Sequence, residues 1–372
     1  MKSKIKSLSL VCVLLLIVGC NEQKDFDKSS EILFFQVKSI EYNNGCVYNE
    51  KPAKYLDFET LESSPLCAVP NCTHKDSKCL ANMVGDTPVF YNNYIYFFES
   101  NYGAVRETQN GREFYIDSKL KKASLDSSEI EIVCEFSDCA PEKSYAGITL
   151  KGNEIYFTGN NLNPKKSEYG DYGWGNSGGY HYLCSINLDT GEYKNYGSIY
   201  DGDKEYEGAD YSSCANITGI YNDKMYIRYS FIKDNDAFQN GGNPDELYEH
   251  INFEFDFDRK EWKEAELPFS WYMNNDTYTY YDALSKEEHI IYKGNEKIFP
   301  NDNAHIQLKE FNGKLFLTDE GKFYDLNTMV EYNMGEYSEY QIMGYSNGNY
   351  ILKNSKKAVK ITEEELLSFD KE

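Results

Sequence analysis

Three thiols and one imidazole fall close together in Cys67-Ala68-Val69-Pro70-Asn71-Cys72-Thr73-His74-Lys75-Asp76-Ser77-Lys78-Cys79. Cys67, Cys72, His74 and Cys79 follow the spacing C-x4-C-x-H-x4-C, and three thiolates with one imidazole are the ligand set of a closed structural zinc site. Cys72 and His74 stand two apart, so on an extended segment both side chains project to the same side. The spacing differs from that of the familiar zinc fingers, and disulfides compete for the same sulfurs. Setting aside Cys12 and Cys20, the remaining cysteines are Cys46, Cys67, Cys72, Cys79, Cys134, Cys139, Cys184 and Cys214. Their number is even, but sequence alone does not specify connectivity. Structural zinc, crosslinks and free or redox-active thiols all stay open at this point. In each case the segment pins a loop and is not a catalytic centre.

A second group of residues is suited to holding a ligand. In Tyr169-Gly170-Asp171-Tyr172-Gly173-Trp174-Gly175-Asn176-Ser177-Gly178-Gly179-Tyr180, flat aromatics alternate with glycine, Asp and Asn. Tyr169, Tyr172, Trp174 and Tyr180 can stack on sugar rings while the polar groups take hydroxyls; the plainer alternative is that the rings pack the loop onto its neighbours. Asp201–Gly208 alternates carboxylates as calcium loops do, but its glycine is misplaced and no bidentate glutamate is identifiable, so it reads as a solvated acidic loop. HExxH and phosphate-loop patterns are absent. With 61 acidic residues, some carboxylate pair falls within catalytic distance by chance, and none is singled out.

The elements that must position these residues repeat along the chain. An aromatic or apolar stretch, an Asn/Gly/Asp pair and a second apolar stretch recur at Asn43-Asn44, Asn92-Asn93, Gly152-Asn153, Asn222-Asp223, Asn274-Asn275, Asn312-Gly313 and Asn347-Gly348. Tight type I′ hairpins need positive φ at both central residues, which Asn, Asp and Gly tolerate. A second strand–turn–strand follows most of them, as in AKYLDFETLES, YLCSINLDTGEYKNY and FEFDFDRKEWKEAEL. The 34 Tyr and 21 Phe against 9 Pro favour strands. Successive turns lie 49, 60, 70, 52, 38 and 35 residues apart. The spacing predicts an all-β fold, a β-propeller of seven four-stranded blades, with six or eight also compatible. Two stacked sandwiches would not require the same turn in every unit.

Irregular sequence gathers in one set of connections: Glu99–Glu113, Gly159–Tyr180 and Lys233–Glu249 between second and third strands, and Cys67–Asp86, Cys139–Tyr145 and Tyr200–Ser213 between units. Long loops on one face of a rigid scaffold are where binding tends to reside. Glu31–Gln36 precedes the first unit and is expected to complete the last one, removing an open edge.

The N-terminus supplies an address. Lys2, Lys4 and Lys6 precede an apolar run from Leu8 to Val18 that is too short to span a bilayer. Leu16-Ile17-Val18-Gly19-Cys20 resembles the lipobox of bacterial lipoproteins, which implies cleavage before Cys20, acylation of that cysteine by diacylglycerol and a further chain such as palmitate, and an extracytoplasmic protein tethered to the cell membrane. An ordinary cleaved signal peptide is the alternative. This divides the chain into a signal peptide, 1–19, a lipidated tether, 20–30, and a propeller domain, 31–372. Loss of the leader takes the formal charge from −23 to about −26. Arginine occurs only at Arg106, Arg112, Arg228 and Arg259, unclustered. Nucleic acid and anionic lipid surfaces are thereby disfavoured as partners.

The run PLC-x-x-P-x-C-x-H-x4-C at Pro65–Cys79, after a first propeller unit, resembles a group of cell-surface lipoproteins of anaerobic Bacillota with propeller-like domains. The resemblance implies a seven- or eight-bladed fold and a lipid anchor, and carries over no activity. The expected function is a lipid-anchored binding protein that holds a glycan, peptide or envelope protein on its looped face. A propeller-type glycoside hydrolase or lyase, and an envelope scaffold, are the alternatives.

Overall fold

The computed structural model describes residues 32–369 except 34–38, 142–147, 162–179, 200–212, 233–236, 238–239, 242–246, 267–271, 281–288, 302–307 and short stretches at 43, 49, 85–87, 109–110, 125–129, 222–223, 274–277, 294–295, 318–320, 326 and 329. The leader and tether, including Cys20, lie outside the described residues.

A two-residue strand comes first, β1 (Ile32–Leu33). The next strands form the first sheet: β2 (Ser39–Tyr42), β3 (Gly45–Tyr48), β4 (Lys54–Asp57) and β5 (Ser63–Pro65). After a short helix α1 (Leu80–Met83), the second sheet holds β6 (Val89–Tyr91), β7 (Tyr94–Thr108), β8 (Gly111–Ser124) and β9 (Ile130–Phe136). The third contains β10 (Ala140–Pro141), β11 (Ile148–Lys151), β12 (Glu154–Asn161), β13 (Tyr180–Asn187) and β14 (Tyr193–Ser198). The fourth follows with β15 (Ser213–Tyr221), β16 (Lys224–Ile232), β17 (Tyr248–Asp256) and β18 (Glu261–Glu264). The fifth has β19 (Tyr272–Met273), β20 (Tyr278–Tyr280), β21 (His289–Lys293) and β22 (Glu296–Asn301). The sixth has β23 (Leu308–Phe311), β24 (Lys314–Leu317), β25 (Lys322–Asp325) and β26 (Val330–Asn333). The last is three-stranded, β27 (Gln341–Ser346), β28 (Asn349–Lys353) and β29 (Ala358–Thr362), and runs into a short helix α2 (Glu363–Leu366). The chain is thus all-β, built of sequential antiparallel sheets.

The hairpin chemistry is visible at three of the described turns, while at Gly152-Asn153 only Gly152 takes positive φ. Asn92 and Asn93 adopt φ of 46° and 65°, Asn312 and Gly313 49° and 72°, and Asn347 and Gly348 51° and 79°. All three pairs hold positive φ at both central positions, as a type I′ turn requires. The turns between third and fourth strands use another device. Asp57 Oδ1 accepts from the Glu59 and Thr60 N–H groups, Asn187 Oδ1 from Asp189 and Thr190, and Asp256 Oδ1 from Asp258 and Arg259. The residue after each, Phe58, Leu188 and Phe257, is buried. One side chain thereby closes the turn while the next anchors it.

Packing explains why these strands read as continuous apolar runs rather than alternating ones. On β7, Ile95 and Phe97 join the core shared with the first sheet, whereas Tyr96 and Phe98 join the core shared with the third. On β12, Ile155 and Phe157 face the second sheet and Tyr156 the fourth. On β28, Tyr350 and Leu352 face the sixth sheet, and Ile351 packs with Cys46, Tyr48 and Leu56 of the first. Successive side chains point to opposite faces of a strand, so a strand covered on both faces shows no polar side. The last sheet therefore packs on the first. Ser346 donates to Asn44 Oδ1 at 2.7 Å, and Lys360 Nζ donates to the Glu59 carbonyl at 3.0 Å.

Two expectations are corrected. The N-terminal strand does not complete the last sheet: Ile32 and Leu33 pair antiparallel with Thr149 and Ile148 on the free edge of β11. The last sheet instead passes into α2, whose Thr362 and Glu365 form a reciprocal capping box and whose Leu366 is buried in the core shared by the sixth and last sheets. Glu99–Glu113 is not irregular either. β7 and β8 stay paired through it, from Glu99–Lys119 out to Thr108–Gly111, with a register break between Asn101 and Ala104. Such a bulge absorbs extra residues without ending the ladder, so strand alternation is lost while pairing persists.

Candidate metal centre

The cysteine–histidine segment leaves β5 and returns to the sheets through α1. Its ends are stitched to the connection between β3 and β4: Leu66 N–H donates to the Ala53 carbonyl at 2.9 Å, and Ala53 N–H to the Ala81 carbonyl at 2.8 Å. Leu66, Cys79, Leu80, Ala81 and Val84 pack with Val47 of the first sheet and with Ile95, Phe97 and Ala123 of the second. The segment is therefore the wedge between two neighbouring sheets.

Local geometry gathers the donors. Asn71 and His74 take φ of 60° and 54°, so the chain reverses twice within the loop. Asn82 Nδ2 donates to the carbonyls of His74 and Asp76 at 3.0 and 2.8 Å, fastening that bend. Cys79 is the N-cap of α1 and makes no side-chain cap bond. As a result one ligand atom from each of Cys67, Cys72, His74 and Cys79 lies within 4.8 Å of every other. Cys79 Sγ and His74 Nδ1 are 3.5 Å apart. A tetrahedral ion with metal–sulfur bonds near 2.3 Å and metal–nitrogen bonds near 2.0 Å sets that edge at about 3.5 Å. The donor set and spacing fit a four-coordinate ion with no vacant position.

The electrostatics fit the same picture. The His74 backbone N–H donates to Cys72 Sγ at 3.4 Å and holds that thiol below its ordinary value. Burial, together with the neighbouring Cys67 and Cys72 sulfurs, pushes Cys79 up to about 11. Among the described residues no disulfide joins any of the cysteines from Cys46 to Cys214.

The structure treats the other candidate residues differently. Tyr169, Tyr172 and Trp174 lie outside the described residues. Tyr180 opens β13, paired with Asn161 of β12. The acidic loop Asp201–Gly208 lies outside the described residues as well. First-to-second turns at 92–93, 152–153, 312–313 and 347–348 are as short as a hairpin allows. The long spans 66–88, 162–179, 199–212 and 233–247 all leave the opposite strand ends.

Sequence patterns gave no hint of a polar face on the fourth sheet. Ser230 Oγ contacts His250 Nδ1 at 2.8 Å, and Arg228 Nε donates to Asn252 Oδ1 at 2.9 Å. Burial and then the Arg228 charge hold the His250 imidazole below its ordinary value. Ser230 pairs with His250 and Arg228 with Asn252 in the β16–β17 register, on the face opposite Tyr229, Phe231 and Phe253. Only strand register brings these residues together, since they come from β16 and β17 with a long connection between.

No protein family matches the chain, and no curated protein does. Among solved structures, an oligogalacturonate lyase in complex with manganese is similar over 89% of this chain and 78% of its own, with 10% identity and a TM-score of 0.36. An acylaminoacyl peptidase of Pyrococcus horikoshii is similar over 91% of this chain and 52% of its own, with 12% identity and a TM-score of 0.43. YjhT is similar over 74% of this chain and 92% of its own, with 9% identity and a TM-score of 0.34. The chain thus spans about half the length of the peptidase.

Proposed function

We propose that this chain is a lipid-anchored, extracytoplasmic β-propeller of seven blades that works as a binding protein. Cys20 carries the lipid. The ligand, a glycan, a peptide or an envelope protein, sits where the long connections gather, with Tyr169, Tyr172, Trp174 and Tyr180 as its aromatic contacts. Zinc held by Cys67, Cys72, His74 and Cys79 is structural: four protein ligands close its coordination sphere and leave no place for substrate water.

One observation supports the reading most. The tight first-to-second turns lie at one end of their sheets, the long spans 66–88, 162–179, 199–212 and 233–247 leave the other, and the last sheet packs on the first. An arrangement of that kind brings the long connections together on one side, where a large partner reaches several at once.

The test is a thermal-shift screen of the full chain in detergent against glycans and peptides, followed by direct titration. A saturable ligand whose affinity drops at least tenfold in Trp174→Ala supports the reading. Affinity unchanged by that substitution removes the aromatic contacts, and turnover of a polysaccharide replaces binding with catalysis. Acyl modification is read separately, by the mass of the N-terminal peptide in wild type and Cys20→Ser.

A further inference from the structure

Two further thiols lie outside the candidate metal centre, inside the core between the second and third sheets. Cys139, just before β10, and Cys184, on β13, are both fully buried, and their sulfurs are 3.6 Å apart. They approach over a glycine. A Cβ on Gly159 of β12 would fall 2.5 Å from Cys139 Sγ and 3.1 Å from its Cβ. β10 pairs with β12 at Gly159–Pro141 and Asn160–Ala140, and β13 pairs with β12 on its other side, at Phe157–Cys184. Only the missing side chain at Gly159 lets a thiol reach across that strand to its neighbour.

The surroundings hold the two seated sulfurs by hydrogen bonds. The Tyr193 hydroxyl donates to the Asp138 carboxylate at 2.8 Å. Its oxygen lies 3.2 Å from Cys184 Sγ and 3.5 Å from Cys139 Sγ, in position to accept from either S–H. Asn195 Nδ2 donates to the same carboxylate at 2.7 Å. A hydrogen-bonded line therefore runs from the two closed thiols through a phenol to a carboxylate at the edge of the core.

We infer that Cys139 and Cys184 are the site of a disulfide, which ties the connection ahead of β11 to strand β13. The reaction is thiol–disulfide exchange with a small-molecule or protein disulfide. The two thiols give up two protons and two electrons, one sulfur–sulfur bond forms, and the donor's sulfur–sulfur bond breaks to leave two thiols. The exchange takes place on the folding chain, before β10 seats against β12, because the seated thiols are closed to solvent. The bond closes a loop of chain that contains β10, β11 and β12. An exported protein meets the oxidant it requires; the test below supplies one and stands apart from the question of export.

The full chain is refolded with oxidised glutathione, alkylated while denatured, digested and mapped without reductant. The expected product is a Cys139–Cys184 linked peptide, lighter than the two free peptides by about two hydrogens and lost on reduction. Cys139→Ser and Cys184→Ser should each lower the thermal midpoint of the oxidised protein, and the double variant should lower it no further than the larger single effect. Reduction should abolish the difference between wild type and the double variant. Full alkylation of both thiols after oxidative refolding overturns the assignment, as does linkage of either to Cys134. Additive losses in the double variant do so too, since they report packing and not a bond.

Discussion

Lys314 offers the sharpest test of how the last two sheets are joined. Its ammonium is 3.3 Å from Asp325 and 2.9 Å from Glu363, and its side chain is 1% exposed, against 5% for Asp325 and 43% for Glu363. Burial opposes its charge, but hydrogen bonds to Glu363 and Asp325 outweigh that and hold its pKa above 10.5. Burial likewise opposes ionisation of Asp325, and the Asn327 N–H and Lys314 reverse it, so its carboxyl sits below 3.8. Lys314→Met leaves Asp325 buried without its cation, which costs about 3–5 kcal/mol. Glu363→Gln removes only a half-exposed partner and should cost no more than about 1 kcal/mol. Asp325→Asn in the Lys314→Met background keeps an acceptor for the Asn327 N–H and should recover most of the loss. The sign with pH follows from the two shifts. The Asp325 contribution is complete above the unfolded carboxyl value and is lost as pH falls through its depressed folded value. The Lys314 contribution is complete below 10.5 and is lost as pH rises through its elevated folded value. The gap between wild type and Lys314→Met, read by urea unfolding, should narrow in acid, beginning above the ordinary carboxyl value because the variant's uncompensated Asp325 takes up its proton earlier, and should narrow again as pH rises through the elevated Lys314 value. Equal losses for Lys314→Met and Glu363→Gln, or a gap that widens in acid, would refute the reasoning.

Three further outcomes are expected. Full chain isolated with zinc should carry about one equivalent of metal, and a chelator or Cys72→Ser should remove it and lower the thermal midpoint; free zinc at about a hundredfold its dissociation constant should add about 2.7 kcal/mol of stability to the wild type alone. Asn93, at φ 65°, should tolerate Gly but lose about 1–2 kcal/mol on replacement by Val, whose Cβ crowds the backbone in that region, as urea titration will read. Gly159→Ala should cost about 1–3 kcal/mol through overpacking, and Cys139→Ala in the same chain should relieve it, because the new methyl meets that sulfur at 2.5 Å.

What could be read from sequence was local. Asn-Asn and Asn-Gly pairs announce hairpins because backbone strain at positive φ is settled by the two residues themselves, and Asp57, Asn187 and Asp256 close their turns with their own oxygens. The metal cluster was legible for a similar reason, since one short segment supplies all four donors. Contacts that depend on register were hidden. Nothing in Ile32–Leu33 distinguishes a partner in the third sheet from one in the last, because two residues carry no alternation. The bulged β7–β8 arm hides its pairing where the register breaks between Asn101 and Ala104. Cys139 and Cys184 stand 45 residues apart, and the one local signal of their meeting was Gly159, a glycine inside a strand, which often marks close approach of another chain segment.

The join between last and first sheets carries the architecture. If Ile32–Leu33 had completed the last sheet, backbone hydrogen bonds would hold the two termini together. Instead the join rests on side chains. Met343 and Ile351 interleave with Cys46, Tyr48, Leu56 and Phe58, and Lys353 reaches Glu50 at 3.5 Å while its ammonium lies 4.7 Å over the Tyr48 ring. Apolar burial is then the main term, because the ion pair is partly exposed and contributes little. Ile351 is 0% exposed, so Ile351→Ala should cost about 2–5 kcal/mol, as much as a substitution within a single sheet's core. Deleting residues 31–36 should cost far less, since it removes one short edge pairing and leaves the join untouched. Unfolding measured by denaturant separates the two: a deletion that destabilises more than Ile351→Ala would mean the N-terminal strand, and not the apolar seam, holds the ends of the chain together.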